Sequence, residues 1–291
     1  MAVLSAAQDG QTWPKVPPTI KAAVRYLTPL AKQNDLQTLD LSGTRVADLT
    51  PLASLTNLQL LELDGTDVMD LAPLANLTNL RSISLRNTQV RDAAPLANLR
   101  NLQRLVLEEA PVKDLTPLES LTDLRTLWLA SNPVSDVSSL VYLKKLTDLE
   151  IYDISISDVT ALSDLVNLTR LSLGKTLVID LSPLINLHAV QTLSLWETPV
   201  RDLAPLAHLT DLEWISLNGT QVISLDPLCN LAKLRTLLLQ DTHVADAAPL
   251  ANLTNLQSLD LRGTQVSEQQ VAEPKRALAE RGNRSVRISG P

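Results

Sequence analysis

Apolar residues recur along the chain with a fixed period of 22 residues. Within one unit they occupy the first, fourth and sixth positions, as in Leu36, Leu39 and Leu41, which predicts a short strand with one buried face. The eleven units follow one another without an insertion or deletion and open at Leu36, Leu58, Leu80, Leu102, Leu124, Leu146, Leu168, Val190, Leu212, Leu234 and Leu256. Such a period indicates a solenoid, in which each unit buries its apolar face against its neighbours.

The second half of each unit predicts a turn and not a long helix. It reads Asp-Leu-x-Pro-Leu-x-x-Leu, as in residues 48–55. The aspartate can accept backbone N–H groups, and the proline suits the first turn of a short helix. Nine units share this aspartate: Asp48, Asp70, Asp92, Asp114, Asp136, Asp158, Asp180, Asp202 and Asp246. We interpret it as a turn cap and not as a calcium ladder, because Ser224 and Glu268 replace it in two units.

These patterns predict an α/β solenoid. Stacked parallel strands form one side of it, and 3₁₀ or short helical turns form the convex side. We divide the chain into an N-terminal cap with a partial repeat (1–35), eleven 22-residue repeats (36–277) and a C-terminal cap (278–291). In the first cap, Thr19 is expected to begin a short helix through Val24, and Trp13 to cover the open end of the leucine stack.

The sequence features that predict how the C-terminal end of the array is capped begin after Val266. Ser267 and Gln270 have the spacing of a capping box. Pro274 is expected to open a helix that runs through Arg281 and ends at Gly282. Residues 286–288 are expected to pair with the last strand of the sheet.

Composition narrows the class of partner. The net charge of −7 and the pI near 5.0 argue against nucleic acid or an anionic membrane as the main partner. Cys229 is the single cysteine, so no internal disulfide framework is expected. The first ten residues lack a basic region followed by a strong apolar run, and no window has 18 apolar residues. We therefore predict no membrane span and a cytoplasmic location, or secretion by a route without a Sec signal.

The pattern Leu-x-x-Leu-x-Leu-x-x-[Asn/Thr]-x-Val-x-Asp-Leu-x-Pro-Leu resembles the leucine-rich repeat family over residues 36–277. It is most similar to the 22-residue class shared by bacterial internalins and the nuclear regulatory subunit of protein phosphatase. The resemblance implies an arc with a parallel β-sheet on its concave side and, usually, protein binding there. The family residue at the ninth position is asparagine, which only Asn132 keeps; eight units have threonine, and Ala110 and Ile154 carry no polar group. Ser139 and Ala161 also replace the convex proline, so local irregularity is expected in the middle repeats.

The outward face of the strands holds the candidate binding residues. On it lie the third, fifth and seventh residues of each unit, with the eighth at the rim. These columns contain four of the seven aromatic residues of the chain, Trp128, Tyr152, Trp196 and Trp214. Exposed aromatic clusters are typical of interface hot spots. The alternative is that the rings shield the sheet or fill gaps in the irregular repeats.

The same columns carry most of the negative charge. The eleven acids are Asp40, Glu62, Asp64, Glu108, Glu109, Asp148, Glu150, Asp153, Glu197, Asp241 and Asp260. The five bases are Arg86, Arg104, Arg170, Lys175 and Arg262, which leaves this face at −6. We predict that Asp148, Glu150, Asp153 and Glu197 select a protein partner with a basic or mixed-charge surface. The chain itself is expected to be monomeric.

The sequence gives little support to an enzyme. None of the common metal, phosphate-loop or nucleophile motifs is present, and two of the three histidines, His188 and His208, fall on the convex return. We predict a non-catalytic protein-binding module without metal or cofactor. Two other hypotheses remain open: a secreted or translocated bacterial effector or adhesin of internalin type acting on a host protein, and a repeat segment of a larger signalling protein.

Overall fold

The computed structural model describes Leu27, residues 33–280 and residues 286–290. Within these ranges twelve parallel strands form one open sheet, in chain order from β1 to β12. The strands are β1 Thr38–Asp40, β2 Leu60–Glu62, β3 Ser82–Ser84, β4 Arg104–Val106, β5 Thr126–Trp128, β6 Asp148–Glu150, β7 Arg170–Ser172, β8 Thr192–Ser194, β9 Trp214–Ser216, β10 Thr236–Leu238, β11 Ser258–Asp260 and β12 Arg287–Ser289. The predicted leucine-rich repeat solenoid is confirmed.

The return half of each of the first ten repeats forms a 3₁₀ helix, as predicted. The described ones are Thr50–Leu52, Ala72–Leu74, Ala94–Asn98, Thr116–Ser120, Ser138–Tyr142, Thr160–Leu162, Ser182–Leu184, Ala204–His208, Asp226–Leu228 and Ala248–Asn252. In each of the nine repeats that have the predicted capping aspartate, its Oδ1 accepts a hydrogen bond from the backbone N–H two residues later, at 2.8–2.9 Å. The capping interpretation of this column is confirmed.

One continuous core runs the length of the arc. It is built from the columns that the period identifies, and Leu127, Leu149 and Leu171 in the middle strands are exposed by 2% or less. Successive strands pair in exact 22-residue register, so each core leucine lies on its equivalent in the next repeat. One repeat alone could not bury these side chains, which is why the fold needs the whole stack.

At the ninth position of the repeat, threonine and asparagine make different hydrogen bonds. In all eight threonine units the hydroxyl donates to the carbonyl of the sixth residue of its own repeat, at 2.6–2.8 Å. The amide of Asn132 reaches the preceding repeat, donating to the carbonyl of Leu107 and accepting the N–H of Ala110. Threonine thus replaces only part of the bonding that asparagine makes.

The irregularity expected in the middle repeats is small. The strand ladder runs through them without a break. The residues ahead of the two proline-free turns, Val137 and Val159, have φ values of −116° and −119°, against −91° to −102° at the described turns that contain proline.

The C-terminal end is closed by a helix, α1, over Glu268–Glu280. Ser267 and Gln270 form the predicted capping box, with the Ser267 N–H donating to Gln270 Oε1 and the Gln270 N–H to Ser267 Oγ. The expectation that Pro274 opens this helix is wrong, because the helix begins six residues earlier, where the capping box satisfies its first N–H groups. β12 pairs with β11, as predicted. The expected roles of Trp13, Thr19, Val24, Arg281 and Gly282 lie outside the described residues.

Candidate binding face on the concave sheet

The sheet presents one face to the inside of the arc, and we call it the concave face. It consists of the third, fifth and seventh residues of each repeat, with the eighth along its rim. All four predicted aromatic residues lie on it, and all four are half-buried. Each ring therefore covers part of the sheet and still leaves some of its surface to solvent.

Tyr152 and Trp196 form an aromatic pair although a whole repeat separates them. Their ring centroids are 6.4 Å apart at an interplanar angle of 47°, within the range of favourable aromatic contacts. Gly174 makes the pair possible. It occupies the seventh position of the intervening repeat, and a Cβ atom there would come within 2.1 Å of the Trp196 Nε1. The indole thus lies directly over the glycine.

Gly174→Ala is expected to displace the Trp196 indole without unfolding the protein. The backbone of Gly174 does not need a positive φ, and the obstructing atoms belong to the end of a side chain that can rotate. The aromatic pair should be lost at a cost of about 1 kcal/mol. Near-ultraviolet circular dichroism should change while the far-ultraviolet spectrum stays the same. An unchanged near-ultraviolet spectrum would show that the indole does not occupy this position.

On its other side Tyr152 reaches back across Ala130. Its hydroxyl lies 3.3 Å from Glu108 Oε1, two repeats away in the same column. Ala130 holds the seventh position between them and is only 1% exposed. Glu108 in turn forms an ion pair with Arg86, at 3.5 Å. One row of contacts thus runs from Arg86 to Trp196.

The two remaining rings stand apart from this pair. The guanidinium of Arg104 lies over the Trp128 ring, 5.1 Å from its centroid. The strand partner of Trp128, Val106, is 1% exposed although it points to the concave face. The Trp128 Nε1 is itself buried and has no hydrogen-bond partner. Trp214 makes no ring or cation contact with any other described residue.

All five bases of the concave face are already engaged. Their partners are Glu108 and Glu109 for Arg86, Glu62 for Arg104, Asp148 for Arg170, Asp260 for Arg262 and the Trp196 ring for Lys175. Of the predicted site acids, Asp153 accepts a hydrogen bond from Ser131. Glu150 and Glu197 form neither a hydrogen bond nor an ion pair with any described residue. The face therefore keeps unpaired negative charge next to its rings.

Burial shifts the titration of two carboxyl groups on this face. The pKa of Glu150 rises to about 7, chiefly because the group is desolvated and then because Asp148 and Glu108 are close, while Arg170 and Arg86 act in the opposite direction. Burial also raises the pKa of Glu62 to about 7, with the charge of Arg104 opposing it. The pKa of Tyr152 rises to about 12 through burial and the nearby charges of Glu108 and Glu150.

The rim of the face has an unusual backbone. The eighth residue of all eleven repeats has a positive φ, between 51° and 70°. Four repeats have glycine there, at Gly43, Gly65, Gly219 and Gly263. Seven repeats have another residue there: six in succession, at Asn87, Glu109, Ser131, Asp153, Lys175 and Glu197, and one further along, at Asp241. A side chain in this conformation costs roughly 1 kcal/mol relative to ordinary backbone.

Other parts of the described chain offer less for binding chemistry. A shallow recess at the opposite edge of the strands is lined only by polar side chains, namely Gln59, Asn79, Arg81, Asn101, Gln103 and Asp123. No group of three or more His, Cys, Asp or Glu residues within the described ranges could hold a metal ion. None of the helices described is long and apolar enough to cross a membrane.

Comparison with known proteins agrees with this architecture. Neither the family models nor the curated proteins compared with the sequence give a match. Among solved structures, an internalin (inlF) from Listeria monocytogenes is 30% identical with a TM-score of 0.85, over 91% of this chain and 77% of that chain. The chain belongs to the internalin-like leucine-rich repeat proteins.

Two further structures extend the comparison. Internalin C2 from the same organism is 29% identical to this internalin-like chain, with a TM-score of 0.54, over 72% of this chain and 84% of that one. A leucine-rich repeat protein from Leptospira interrogans is 18% identical, with a TM-score of 0.65, over 90% and 86% of the two chains. The latter likeness concerns the fold alone.

Proposed function

We propose that this internalin-like chain is a non-catalytic module that binds a partner protein on its concave face. Trp128, Tyr152, Trp196 and Trp214 supply the hot spot, and the acids Asp148, Glu150, Asp153 and Glu197 select a partner with a basic or mixed-charge surface. The observation that carries the proposal is the Tyr152–Trp196 pair, held over Gly174 on an open sheet face beside unpaired carboxylates. Half-buried rings that are held in place lose little freedom on binding, which is a property of interface hot spots.

The rim supports the same location. Of the seven repeats that replace glycine at the strained eighth position, Asp241 stands alone in repeat ten, and the other six are consecutive and carry Trp128, Tyr152 and Trp196. Their side chains extend the concave face at its edge, where glycine would offer no contact. Strained backbone of this kind occurs at functional sites more often than elsewhere. The six consecutive repeats without glycine therefore favour a binding surface over repeats three to eight.

Glu197→Gly is expected to raise the free energy of unfolding by about 1 kcal/mol, because glycine adopts the left-handed backbone without strain. Glu197 is a suitable probe since it makes no hydrogen bond or ion pair that the change would remove. Gly219→Ala, at the same position of the next repeat, should lower the free energy of unfolding by a similar amount. Denaturant unfolding measures both. Equal stability of all three proteins would contradict the argument from strain.

The neighbours support a binding role. The plant membrane receptor kinase ectodomain GASSHO1/SCHENGEN3 from Arabidopsis thaliana was solved in complex with CASPARIAN STRIP INTEGRITY FACTOR 2. It is 20% identical with a TM-score of 0.71, over 85% of this chain and 32% of that chain. Binding of a protein ligand by a scaffold of the same fold is consistent with the proposal for this chain.

Affinity capture from the native lysate tests the proposal. Wild type is compared with Trp128→Ala/Tyr152→Ala/Trp196→Ala/Trp214→Ala after circular dichroism has shown that both are folded. A specific partner should be held by wild type and bound at least 100-fold more weakly by the variant, since hot-spot truncations lose several kcal/mol together. Equal recovery would exclude the rings as the hot spot. A variant that does not fold would show that the rings are structural, and Gly174→Ala would then be used to disturb the pair alone.

A second function is favoured by the similarity to the Listeria internalin. Under this second function, the chain is a secreted or translocated effector or adhesin that binds a host protein with the same face. Both functions use the same residues and differ in where the partner is found. Fractionation of the source cells separates them: the first predicts the chain in the cytoplasm, whereas the effector is recovered from the medium or the cell surface.

A further inference from the structure

Glu150 lies on the concave face between the aromatic residues, and no described residue forms a hydrogen bond or an ion pair with it. Its strand neighbour on one side is Trp128 and on the other Ser172. Tyr152 follows two residues later on the same face, about 7 Å along the strand. Glu150 is half-buried, yet neither carboxylate oxygen has a hydrogen bond or an ion pair among the described residues. A carboxylate in this setting has lost part of its hydration without gaining a hydrogen bond in exchange.

Asp148 places a second carboxylate beside Glu150. It is 2% exposed and stands two residues before Glu150 on the same face. Its Oδ2 pairs with Arg170, while its Oδ1 is buried and has no hydrogen-bond partner among the described residues. Because a buried acceptor without a donor is rare in native proteins and leaves the negative charge here poorly compensated, this part of the face favours a positively charged donor from the partner.

The rings indicate what kind of donor fits. Arg104 lies over Trp128 and Lys175 over Trp196, so two rings of this face already hold a cation of the chain itself. Tyr152, the ring that follows Glu150, holds none among the described residues. A cation placed there would contact a ring face and a carboxylate together.

We infer that Glu150 and the ring of Tyr152 form a subsite for an arginine side chain of the partner. The inference rests on the proposed function and names the chemistry that the face recognises. Arginine fits better than lysine because its planar guanidinium can stack on the ring and donate two parallel hydrogen bonds to one carboxylate. A lysine would satisfy only the charge.

The subsite makes binding depend on pH. The groups that face Glu150 are Asp148, Glu108, Tyr152, Arg170 and Arg86. Burial and the charges of Asp148 and Glu108 raise its pKa to about 7, against the opposing charges of Arg170 and Arg86. The guanidinium binds the ionised carboxylate, so binding should strengthen as the pH rises and Glu150 loses its proton. Between pH 6 and pH 8 the ionised fraction of such a group increases about tenfold, and the affinity should follow it.

A displayed library of random 12-residue peptides tests the subsite without a known partner. The library is selected at pH 8 on wild type, on Glu150→Gln and on Asp241→Asn, which removes the same charge from the exposed rim of the same face outside the proposed site. Peptides from wild type and Asp241→Asn should be enriched in arginine over lysine. Peptides from Glu150→Gln should lose that enrichment. The best arginine peptide should bind wild type about tenfold more weakly at pH 6, with no such change for Glu150→Gln.

Three results would overturn the inference: no binding peptide, no preference for arginine, or the same preference with Glu150→Gln. The quadruple aromatic variant separates this failure from failure of the proposed function. If selected peptides need the rings but carry no arginine, the face binds as proposed and the subsite is excluded. If the peptides bind the quadruple variant equally well, both ideas fail.

Discussion

Leu149→Ala is expected to lower the free energy of unfolding by about 3 kcal/mol. Leu149 is 0% exposed and lies between Leu127 and Leu171, its equivalents on the adjacent strands. The truncation removes contacts with both adjacent repeats and leaves a cavity. Neither repeat can move in to fill the cavity without losing its strand register. Denaturant unfolding followed by far-ultraviolet circular dichroism measures the change.

Leu238→Ala is the matched control for this change. Leu238 is also a strand leucine, but it points to the concave face and is only partly buried. Its truncation should cost about 1 kcal/mol or less. Equal losses for the two variants, or a larger loss for Leu238→Ala, would contradict the assignment of inward and outward positions on which the candidate site depends.

Glu150→Gln is expected to stabilise the protein at pH 8 and to leave it unchanged at pH 4. The folded-state pKa of about 7 lies above the ordinary value of 4.5. Below pH 4.5 the carboxyl group is neutral in both states and burial carries no charge penalty. As the pH rises through 7 the folded protein must hold a desolvated carboxylate, so stability is lost across this window.

The full pKa difference would correspond to roughly 3 kcal/mol. Because the side chain is half-buried and keeps some hydration, we expect a gain of about 2 kcal/mol for Glu150→Gln at pH 8. Glu197→Gln, at an exposed and equally unpaired carboxylate, should change stability little at either pH. Unfolding curves at pH 4, 6 and 8 for the three proteins check this. A gain that does not depend on pH would show that the effect is not a titration of Glu150.

Much of the fold could be predicted because the 22-residue period repeats the same physical requirement eleven times. Each unit needs inward apolar residues at fixed positions, a side chain that caps the turn (aspartate in nine of the eleven units) and a residue that tolerates a positive φ at its rim. The period therefore located the strands, the 3₁₀ turns and the capping aspartates. The end of the array is less regular, and there the prediction that Pro274 opens the last helix was wrong, since the capping box at Ser267 and Gln270 outweighs it.

The sequence predicted which face carries the candidate site, but not the contacts between its side chains. Alternation placed Trp128, Tyr152, Trp196 and Trp214 on one face, whereas it could not show which rings meet. That depends on the small residues Ala130 and Gly174, over which the larger side chains lie. A glycine in a column of large residues was the signal available in the sequence. The displaced pKa values of Glu62 and Glu150 depend on local burial, which the repeat pattern does not encode.

The central claim is that the partner occupies the concave face, and site-directed photo-crosslinking tests it most directly. A photo-crosslinking amino acid is placed at Ser194, on the concave face between Trp196 and Thr192, and in a second protein at Ile185, which is exposed on the convex side. Both proteins are irradiated in the native lysate. We predict a specific crosslinked protein at Ser194 that is absent at Ile185 and is lost when the four aromatic residues are replaced by alanine. A specific adduct at Ile185 with none at Ser194 would contradict the account.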